Sequence, residues 1–317
     1  MIEVEHLTKR YGSLTAVKDI SFTVDKGEVV GFLGPNGAGK TTTMRVLTCF
    51  LSATEGSARV AGFDIFDEPH EVKKRIGYLP ESPPLYRDMR VRTYLEFVAN
   101  IKGVPRQDRA SRTDFVMERT GLTDRARQEI SQLSKGYRQR VGLAQAIIHD
   151  PQVIILDEPT SGLDPNQTRE VRRLIKELAE DRTVILSTHI LPEVAMTCSR
   201  VIIINNGAIS AVDTPANLSR KMKGNDRIYV EVSGDEAPAT AAIEAIPGVL
   251  NVERVADAPS QETALYVDAS TENEIRPQIV AALVGQGIDV LELRRQEMSL
   301  EEIFAKLTIE ELEGDRA

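Results

Sequence analysis

Tryptophan is absent from the 317 residues, and aromatic residues of all kinds make up only 5% of the chain. Cysteine is nearly as scarce. Neither Cys49 nor Cys198 has another cysteine or a histidine nearby at metal-ligand spacing. The sequence therefore predicts neither a disulfide framework nor a zinc site. Positive charge is lacking as well, since the formal net charge is −9. Nucleic-acid binding needs a broad basic face, and we therefore expect no nucleic-acid partner.

Long apolar segments are also missing. No apolar run approaches the roughly 18–20 residues that a membrane-spanning helix requires. The opening MIEVEHLTKRYG has no apolar core of the kind found in secretion signals. If the protein acts at a membrane, we therefore expect a different chain to span it. The length of 317 residues is enough for two domains.

The first two thirds of the chain read as an α/β unit. Residues 1–24 alternate as strands do, and EVVGFL (28–33) is a short apolar run that fits a buried parallel strand. VIIL (153–156) and TVILST (183–188) predict two more buried strands, and VIIINNGAIS predicts a hairpin that turns at Asn206-Gly207. Helical periodicity between these strands predicts a helical insertion over about 82–150.

A second, smaller unit follows a polar, basic stretch that we interpret as a linker at 219–226. From 227 to 308 the predicted order is β-α-β-β-α-β, which is the split ferredoxin-like arrangement. A last helix is predicted from Ser299, with Glu302 completing a capping box, and 309–317 form an acidic tail. This unit offers no catalytic constellation. Regulation, contact with a second copy and simple stabilisation are all open.

A glycine-rich loop joins EVVGFL to the helix that follows, and it fits G-x-x-x-x-G-K-[ST]. Its glycines let backbone N–H groups converge on phosphate oxygens, and the helix points its positive end at the same charge. We expect Lys40 to reach the β- and γ-phosphates, Thr41 to bind Mg²⁺ and Thr42 to donate to an α-phosphate oxygen. The candidate nucleotide-binding residues are Gly34, Pro35, Asn36, Gly37, Ala38, Gly39, Lys40, Thr41 and Thr42.

Two of the other buried strands end in residues that suit hydrolysis. VIILDEPT places Asp157 at the carboxyl end of a strand, where it can hold Mg²⁺, and Glu158 next to it, where it can deprotonate an attacking water. TVILSTH brings His189 to the same edge of the sheet, within reach of a γ-phosphate and that water. His6, His70 and His149 have no companion motif, so we expect them at the surface or in packing roles.

LSKGYRQR, residues 133–140, precedes another helical run. Ser134 and the N–H of Gly136 at that helix start would bind an anion, yet they have no metal and no base of their own. GPNGAGKTTT, LSKGYRQR, VIILDEPTSGLD and STH, in this order, closely resemble the motifs of ATP-binding cassette (ABC) ATPases over residues 1–218. The resemblance implies a P-loop NTPase fold of the α/β class. Its expected parts are a RecA-like parallel-sheet core, an antiparallel β subdomain and a helical insertion, followed here by a small α+β ferredoxin-like domain.

The resemblance also implies how the two anion sites work together. In this family the LSKGYRQR segment binds the γ-phosphate of ATP held by a facing subunit, so the active form is a dimer, here a homodimer, around two ATP with Mg²⁺. Ser134, Lys135 and Gly136 would then contact the ATP of the second copy, and Asp164 in SGLD would lie in the loop that crosses the interface. Tyr11 is expected to stack on adenine. Without the resemblance it reads as an ordinary tyrosine at the end of a strand.

Three residues depart from the family pattern. Glu81, in IGYLPESPPLY, stands where glutamine is usual, close to the expected Mg²⁺. It either binds Mg²⁺ more strongly or makes hydrolysis more dependent on a partner. Lys135 stands where glycine is usual, and Tyr137 where glutamine is common. Lys135 either adds attraction for phosphate or points to solvent.

YLPESPPLY and the C-terminal SLEEIFAKL resemble the ABC-2 type exporter ATPases, in the branch that includes gliding-motility, drug and sodium export. This implies a separate integral-membrane permease as partner and a peripheral position on the cytoplasmic side of the cell membrane. Short permease helices would dock near 81–95. The alternative is a soluble ABC ATPase acting on a ribosome or nucleic-acid complex. Chromosome-acting versions need long heptad arms and ribosome-acting versions usually carry two cassettes, and the acidic charge weighs against both.

Overall fold

The computed structural model describes residues 1–221, 225–255, 262–270 and 274–296. The chain divides into two compact units, Met1–Pro215 and Ala216–Ala317. Within the described residues, no helix is long and apolar enough to span a membrane.

The first unit alternates strands and helices along the chain. In order they are β1 (Ile2–Tyr11), β2 (Leu14–Val24), β3 (Val29–Leu33), α1 (Lys40–Leu47), β4 (Glu55–Val60), β5 (Phe63–Asp64), α2 (Pro69–Arg75), β6 (Ile76–Leu79), α3 (Val91–Ile101), α4 (Arg109–Arg119), α5 (Lys135–Ile147), β7 (Val153–Asp157), α6 (Pro165–Ala179), β8 (Thr183–Thr188), α7 (Leu191–Thr197), β9 (Arg200–Asn205) and β10 (Ala208–Asp213).

The main sheet has six strands in the order β10-β9-β3-β8-β7-β6. β6, β7, β8, β3 and β9 run parallel, and β10 pairs antiparallel with β9 through the predicted turn at Asn206-Gly207. The apolar run of β7 is fully buried, as expected for a strand covered on both faces. Leu33 pairs with Thr188 and Asp157 pairs with Ser187, so β3, β7 and β8 end at one edge of the sheet.

A four-stranded antiparallel sheet, in the order β2-β1-β4-β5, forms a second layer. Its alternating side chains bury one face: Ile2, Val4 and Leu7 are at most 2% exposed. That face packs with Phe32 of the main sheet, whose ring lies 5.6 Å from that of Phe22 between centroids. The predicted antiparallel β subdomain and parallel core are thus confirmed.

The predicted helical insertion is present between β6 and β7. It contains α3, α4 and α5, with single 3₁₀ turns at Thr123–Arg125 and Ile130–Gln132. α3 buries Val91, Leu95 and Val98 at helical spacing, which explains why it forms an amphipathic helix. Tyr86 and Phe97 stay at the surface, with ring centroids 5.6 Å apart.

The second unit contains α8 (Pro215–Lys221, which begins at the boundary), β11 (Asn225–Ser233), α9 (Glu236–Glu244), β12 (Val249–Arg254), β13 (Glu262–Ser270), α10 (Arg276–Gly285) and β14 (Val290–Gln296). The strands form one antiparallel sheet in the order β12-β13-β11-β14. Ile228, Val230 and Val232 of β11 face a core that includes Ile243 of α9 and Ile279 of α10. This is the ferredoxin-like arrangement that the element order predicts.

The predicted linker at 219–226 differs from the structure at both ends. α8 continues to Lys221, and β11 already begins at Asn225. The helix forms despite the polar composition of this stretch, and its Leu218 is buried. Residues 222–224, the helix predicted from Ser299 and the tail at 309–317 lie outside the described residues.

Candidate functional site

The loop from β3 to α1 has the backbone that its glycines allow. Gly37 and Gly39 have φ of +85° and +106°, values that side chains with a Cβ rarely adopt. Gly34 and Gly39 also touch the surrounding chain, since an added Cβ would lie 2.3 Å from the Ile204 carbonyl oxygen and 2.6 Å from that of Ala16, respectively. The loop is therefore held by both the main sheet and β2.

The β9–β10 hairpin supports the same loop. The Gly207 N–H donates to the Ala38 carbonyl at 3.0 Å, and the Gly207 carbonyl accepts from the Lys18 N–H at 2.8 Å. One turn thus joins the glycine-rich loop to the antiparallel sheet. Three distant parts of the chain must come together before this loop is fixed.

Lys40 begins α1 and is 5% exposed. Its ammonium donates to the carbonyl oxygens of Gly34 at 2.7 Å and Pro35 at 3.0 Å, and lies 3.7 Å from the Glu158 carboxylate. Burial lowers the pKa of Lys40, while the negative charges of Glu158 and Asp157 oppose that shift. The ammonium is thus held inside the loop, where phosphate oxygens are natural partners.

Asp157 ends β7 and is completely buried. Its Oδ1 accepts from the Thr41 hydroxyl at 3.2 Å and from the Ser187 hydroxyl, whereas its buried Oδ2 has no hydrogen-bond partner in the part of the chain that the structure describes. A buried carboxylate oxygen without a partner is costly unless a cation satisfies it. An oxygen of this kind beside a hydroxyl fits Mg²⁺, which takes oxygen ligands.

No ready-made metal cage exists among the described residues, since no three His, Cys, Asp or Glu side chains are grouped to hold an ion. Thr41 and Asp157 therefore supply only part of a ligand shell. Mg²⁺ commonly binds through one or two protein ligands together with substrate phosphates and water. The donor set fits an ion that arrives with a nucleotide.

Glu158 has a left-handed backbone, with φ of +49°, and is 6% exposed. Such a backbone is strained for a residue with a side chain, and strain of this kind is concentrated at functional sites. Both carboxylate oxygens lie 3.0 Å from Nδ1 of His189, whose side chain is 46% exposed. The pair is a buried carboxylate held by a partly exposed imidazole, which is an arrangement suited to activating a water molecule.

A cavity of about 440 Å³ brings Lys40, Thr41, Glu158 and His189 together, whereas Asp157 is not among its lining residues. Glu81 reaches it from the segment after β6, so the structure places this departure from the family pattern beside Lys40 and Glu158. Its lining residues are Ala16, Asn36, Gly37, Gly39, Lys40, Thr41, Thr42, Glu81, Glu158, Ser161 and His189.

Tyr11 is not among the residues that line this cavity. It lies at the end of β1, pairs with Leu14 across the hairpin and is 45% exposed. The Lys9 ammonium lies 5.2 Å from the centre of its ring. The ring is accessible, and its stacking on adenine stays a prediction.

Ser134, Lys135 and Gly136 form the start of α5 and are not among the residues that line the 440 Å³ cavity. The Ser134 hydroxyl caps the helix by accepting from the Tyr137 N–H at 3.4 Å. Asp164 caps α6 in the same way, accepting from the N–H groups of Asn166 and Gln167 at 3.0 and 2.9 Å. The chain therefore carries two separate candidate anion sites.

Ser187 and Ser161 were missed from the sequence. Ser187 donates to Asp157 because the register of β7 and β8 sets the two side by side, and this pairing is invisible in the motifs. Ser161 reaches the cavity through the turn after Pro159. The only sequence signal for either was a hydroxyl within two or three residues of His189 or Glu158.

His149 has the packing role that the sequence predicts. Its Nε2 lies 3.0 Å from the Ile76 carbonyl oxygen, and burial, with help from nearby Lys102, lowers its pKa to about 4. It stays neutral at ordinary pH.

Comparisons with known proteins agree with this geometry. Residues 17–161 match the family described as ABC transporter, and residues 214–308 match the C-terminal domain of DrrA1-3-like ATP-binding proteins. The chain is 33% identical over 309 residues to the linearmycin resistance ATP-binding protein LnrL of Bacillus subtilis (strain 168), spanning 97% of this chain and 98% of that protein. It is 34% identical over 310 residues to the bacitracin transport ATP-binding protein BcrA of Bacillus licheniformis, spanning 97% of each.

Among solved structures, the chain is similar to the dimeric structure of a post-hydrolysis state of an ATP-binding cassette bound to ADP and phosphate. The TM-score is 0.63 at 25% identity, and the match covers 68% of this chain and 98% of that one.

Proposed function

This chain belongs to the ABC transporter ATP-binding proteins, and on that basis we propose that it hydrolyses ATP as one of two cassettes that drive a separate membrane permease in export. One observation supports the dimer above all. The hydrolytic groups and the capped start of α5 are separate sites within one chain. A second copy that faces the first would bring each α5 start to the other copy's cavity.

The nucleotide would bind in the 440 Å³ cavity. The loop from Gly34 to Gly39 and the start of α1 would surround its phosphates, with Lys40 on the β- and γ-phosphates and Thr42 on the α-phosphate. Exposed Tyr11 would contact adenine. Thr41 and Asp157 would hold Mg²⁺ with Glu81 nearby, and the ion would supply charge neutralisation at the phosphates.

Glu158 is the proposed general base. Its carboxylate would take the proton of the attacking water, and His189 Nδ1, at 3.0 Å, would hold the carboxylate in place. The Lys40 ammonium lies 3.7 Å from the same carboxylate. Ser134 and Gly136 of the second copy would contact the γ-phosphate, so that hydrolysis removes the contact that holds the two copies together.

The relatives named for linearmycin resistance and bacitracin transport support an export role for the partner permease. The permease would place this chain on the cytoplasmic side of the cell membrane. Tyr86 and, on α3, Phe97 are both exposed and offer an aromatic surface for the short helices of the permease. We assign residues 1–218 to the cassette and 227–308 to an accessory domain.

The test uses Glu158→Gln, which keeps the size of the side chain and removes the base. We expect ATP binding to persist, hydrolysis to fall by about 100-fold or more, and a dimer to accumulate with ATP and Mg²⁺. ATPase assays and sedimentation velocity measure these outcomes. Normal turnover would exclude Glu158 as the base, and a variant that stayed monomeric at saturating ATP would exclude the shared site.

A further inference from the structure

Lys135 is exposed, but its side chain lies against its own chain. Its ammonium lies over the turn Ser161–Asp164 of the same chain, since a Cβ added to Gly162 would lie 2.1 Å from Lys135 Nζ. Gly162 has φ of +69° and no side chain, which is why the lysine can approach so closely. Neither alternative that the sequence left open, phosphate attraction or a solvated side chain, includes this contact.

The turn Ser161–Asp164, which Lys135 contacts, connects the nucleotide cavity to the start of α6. Ser161 at its start lines the nucleotide cavity, and Asp164 at its end caps α6. Within the turn, the Ser161 N–H donates to the Glu158 carbonyl and the Leu163 N–H to the Thr160 carbonyl, both at 3.1 Å. A shift of this turn would therefore move a residue of the nucleotide cavity.

A second close contact fixes α5 to the same region. A Cβ added to Gly136 would lie 2.2 Å from the Gln167 side-chain oxygen at the start of α6. Lys135 and Gly136 thus meet the turn and the helix after it with neighbouring residues. The start of α5 has little freedom to move independently of them.

Lys135 also borders a second cavity. On its other side, Lys135 lines a cavity of about 210 Å³ together with Arg87 and Arg138, and with Glu81 as the one carboxylate. Glu81 lines the nucleotide cavity as well, so Lys135 lies between two segments that both border that cavity.

We propose that Lys135 is a positioning residue that holds the Ser161–Asp164 turn against the start of α5, and so couples a chain's own nucleotide cavity to the surface it offers to a second copy. The coupling to a second copy rests on the dimeric function proposed above. The contact between Lys135 and Gly162 lies within one chain and does not depend on it. Lys135 acts through Gly162 and not as a ligand of the second copy's phosphate.

The first test is made on the monomer without nucleotide. Lys135→Met keeps the apolar stem and removes the charge. We expect amide hydrogen exchange at Ser161 and Leu163 to become about fivefold faster, because the turn loses its restraint, and Lys135→Arg to restore most of the protection. Lys176→Met, which removes the same charge from the exposed face of α6, is the control and should change nothing. Unchanged exchange in Lys135→Met would overturn the proposal.

The second test measures dimer formation in the Glu158→Gln background with ATP and Mg²⁺. Lys135→Met should weaken the dimer by about fivefold and leave ATP binding to the monomer unchanged. Gly162→Ala should weaken it too, because its methyl group displaces the lysine and because alanine is strained at a φ of +69°. Since the two changes break one contact, the double variant should be no weaker than Gly162→Ala alone.

If the effects of the two substitutions multiplied, Lys135 would act on the second copy's phosphate and the proposal would be wrong. Failure of the dimeric function itself looks different. In that case Glu158→Gln would not dimerise at all, while the exchange result in the monomer would still decide the role of Lys135.

Discussion

At the scale of single residues, chemistry is set by burial and partners. Lys40, Asp157 and Glu158 are all at most 6% exposed, and each charge has an opposite charge or a hydroxyl within reach. A buried charge survives only with such partners, so these side chains also fix one another's positions. Motif spacing was enough to predict all three residues, because the glycine-rich loop and the strand ends dictate them.

The motifs could not predict which other residues hold these side chains in position. The bond from Ser187 to Asp157 depends on strand register, and the left-handed residue Glu158 donates its N–H to the Ser187 carbonyl on the neighbouring strand at 3.0 Å. The contact of Lys135 with Gly162 requires two segments about 27 residues apart to meet. Each of these features depends on a tertiary contact that no local sequence pattern predicts.

His149 gives a prediction about pH. Its pKa in the fold, about 4, lies below its ordinary value of 6.5, so the unfolded chain binds a proton that the folded chain does not between these pH values. Its contribution to stability is present above pH 6.5 and is lost as pH falls towards 4, by up to about 3 kcal/mol.

His149→Gln keeps a donor for the Ile76 carbonyl but does not titrate. We expect its unfolding free energy, from urea titrations at pH 7 and pH 4.5, to fall less on acidification than that of the parent. The exposed His70→Gln is the matched control and should behave as the parent does. Equal pH dependence in all three proteins would contradict the buried, neutral state of His149.

At the scale of elements, the start of α5 has two jobs that one serine performs. The Ser134 hydroxyl caps the helix, and the same helix end is the proposed anion site. Substitution of Ser134 by alanine would remove the helix cap and the anion contact together, so their effects could not be separated. A pair of variants separates them.

Ser134→Asp keeps an N-cap but adds a negative charge, whereas Ser134→Asn keeps a neutral cap. We expect both monomers to melt within about 2 °C of the parent. In the Glu158→Gln background, the aspartate variant should fail to dimerise with ATP because its carboxylate repels the γ-phosphate, and the asparagine variant should retain much of its dimerisation. Dimerisation of the aspartate variant, measured by sedimentation velocity, would mean that α5 does not face a phosphate.

Helices and strands were predictable here because the periodicity of their apolar residues is strong. β7 is a continuous apolar run, and α3 repeats its apolar residues at helical spacing. The linker at 219–226 was the failure, since part of it is α8 and part is β11. Polarity alone does not distinguish a linker from a short helix with one buried leucine.

At the scale of the whole molecule, every residue that lines the nucleotide cavity belongs to the first compact unit. Deleting residues 222–317 should therefore leave ATP affinity within about twofold of the parent, because none of its direct contacts is removed. Isothermal titration with a non-hydrolysed ATP analogue measures the affinity. Loss of binding would show that the second unit contributes to the site.

The same deletion separates the roles open to the second unit. Hydrolysis that changes several-fold at unchanged affinity indicates regulation, and a weaker ATP-dependent dimer indicates contact between copies. Unchanged hydrolysis, assembly with the permease and export would leave only a stabilising role. The sequence predicted the order of elements in this unit but gave no clue to its purpose, because it offers no catalytic constellation there.

The contacts of Gly207 have a consequence for biosynthesis. The turn at Asn206-Gly207 emerges from the ribosome some 170 residues after the glycine-rich loop that it supports through Ala38. A nascent chain that carries the complete GPNGAGKTTT sequence therefore still lacks the neighbour that fixes it. We therefore expect the chain to bind a nucleotide only late in translation, after β9 and β10 have been made. A chain that is truncated before Gly207 is expected not to bind the nucleotide.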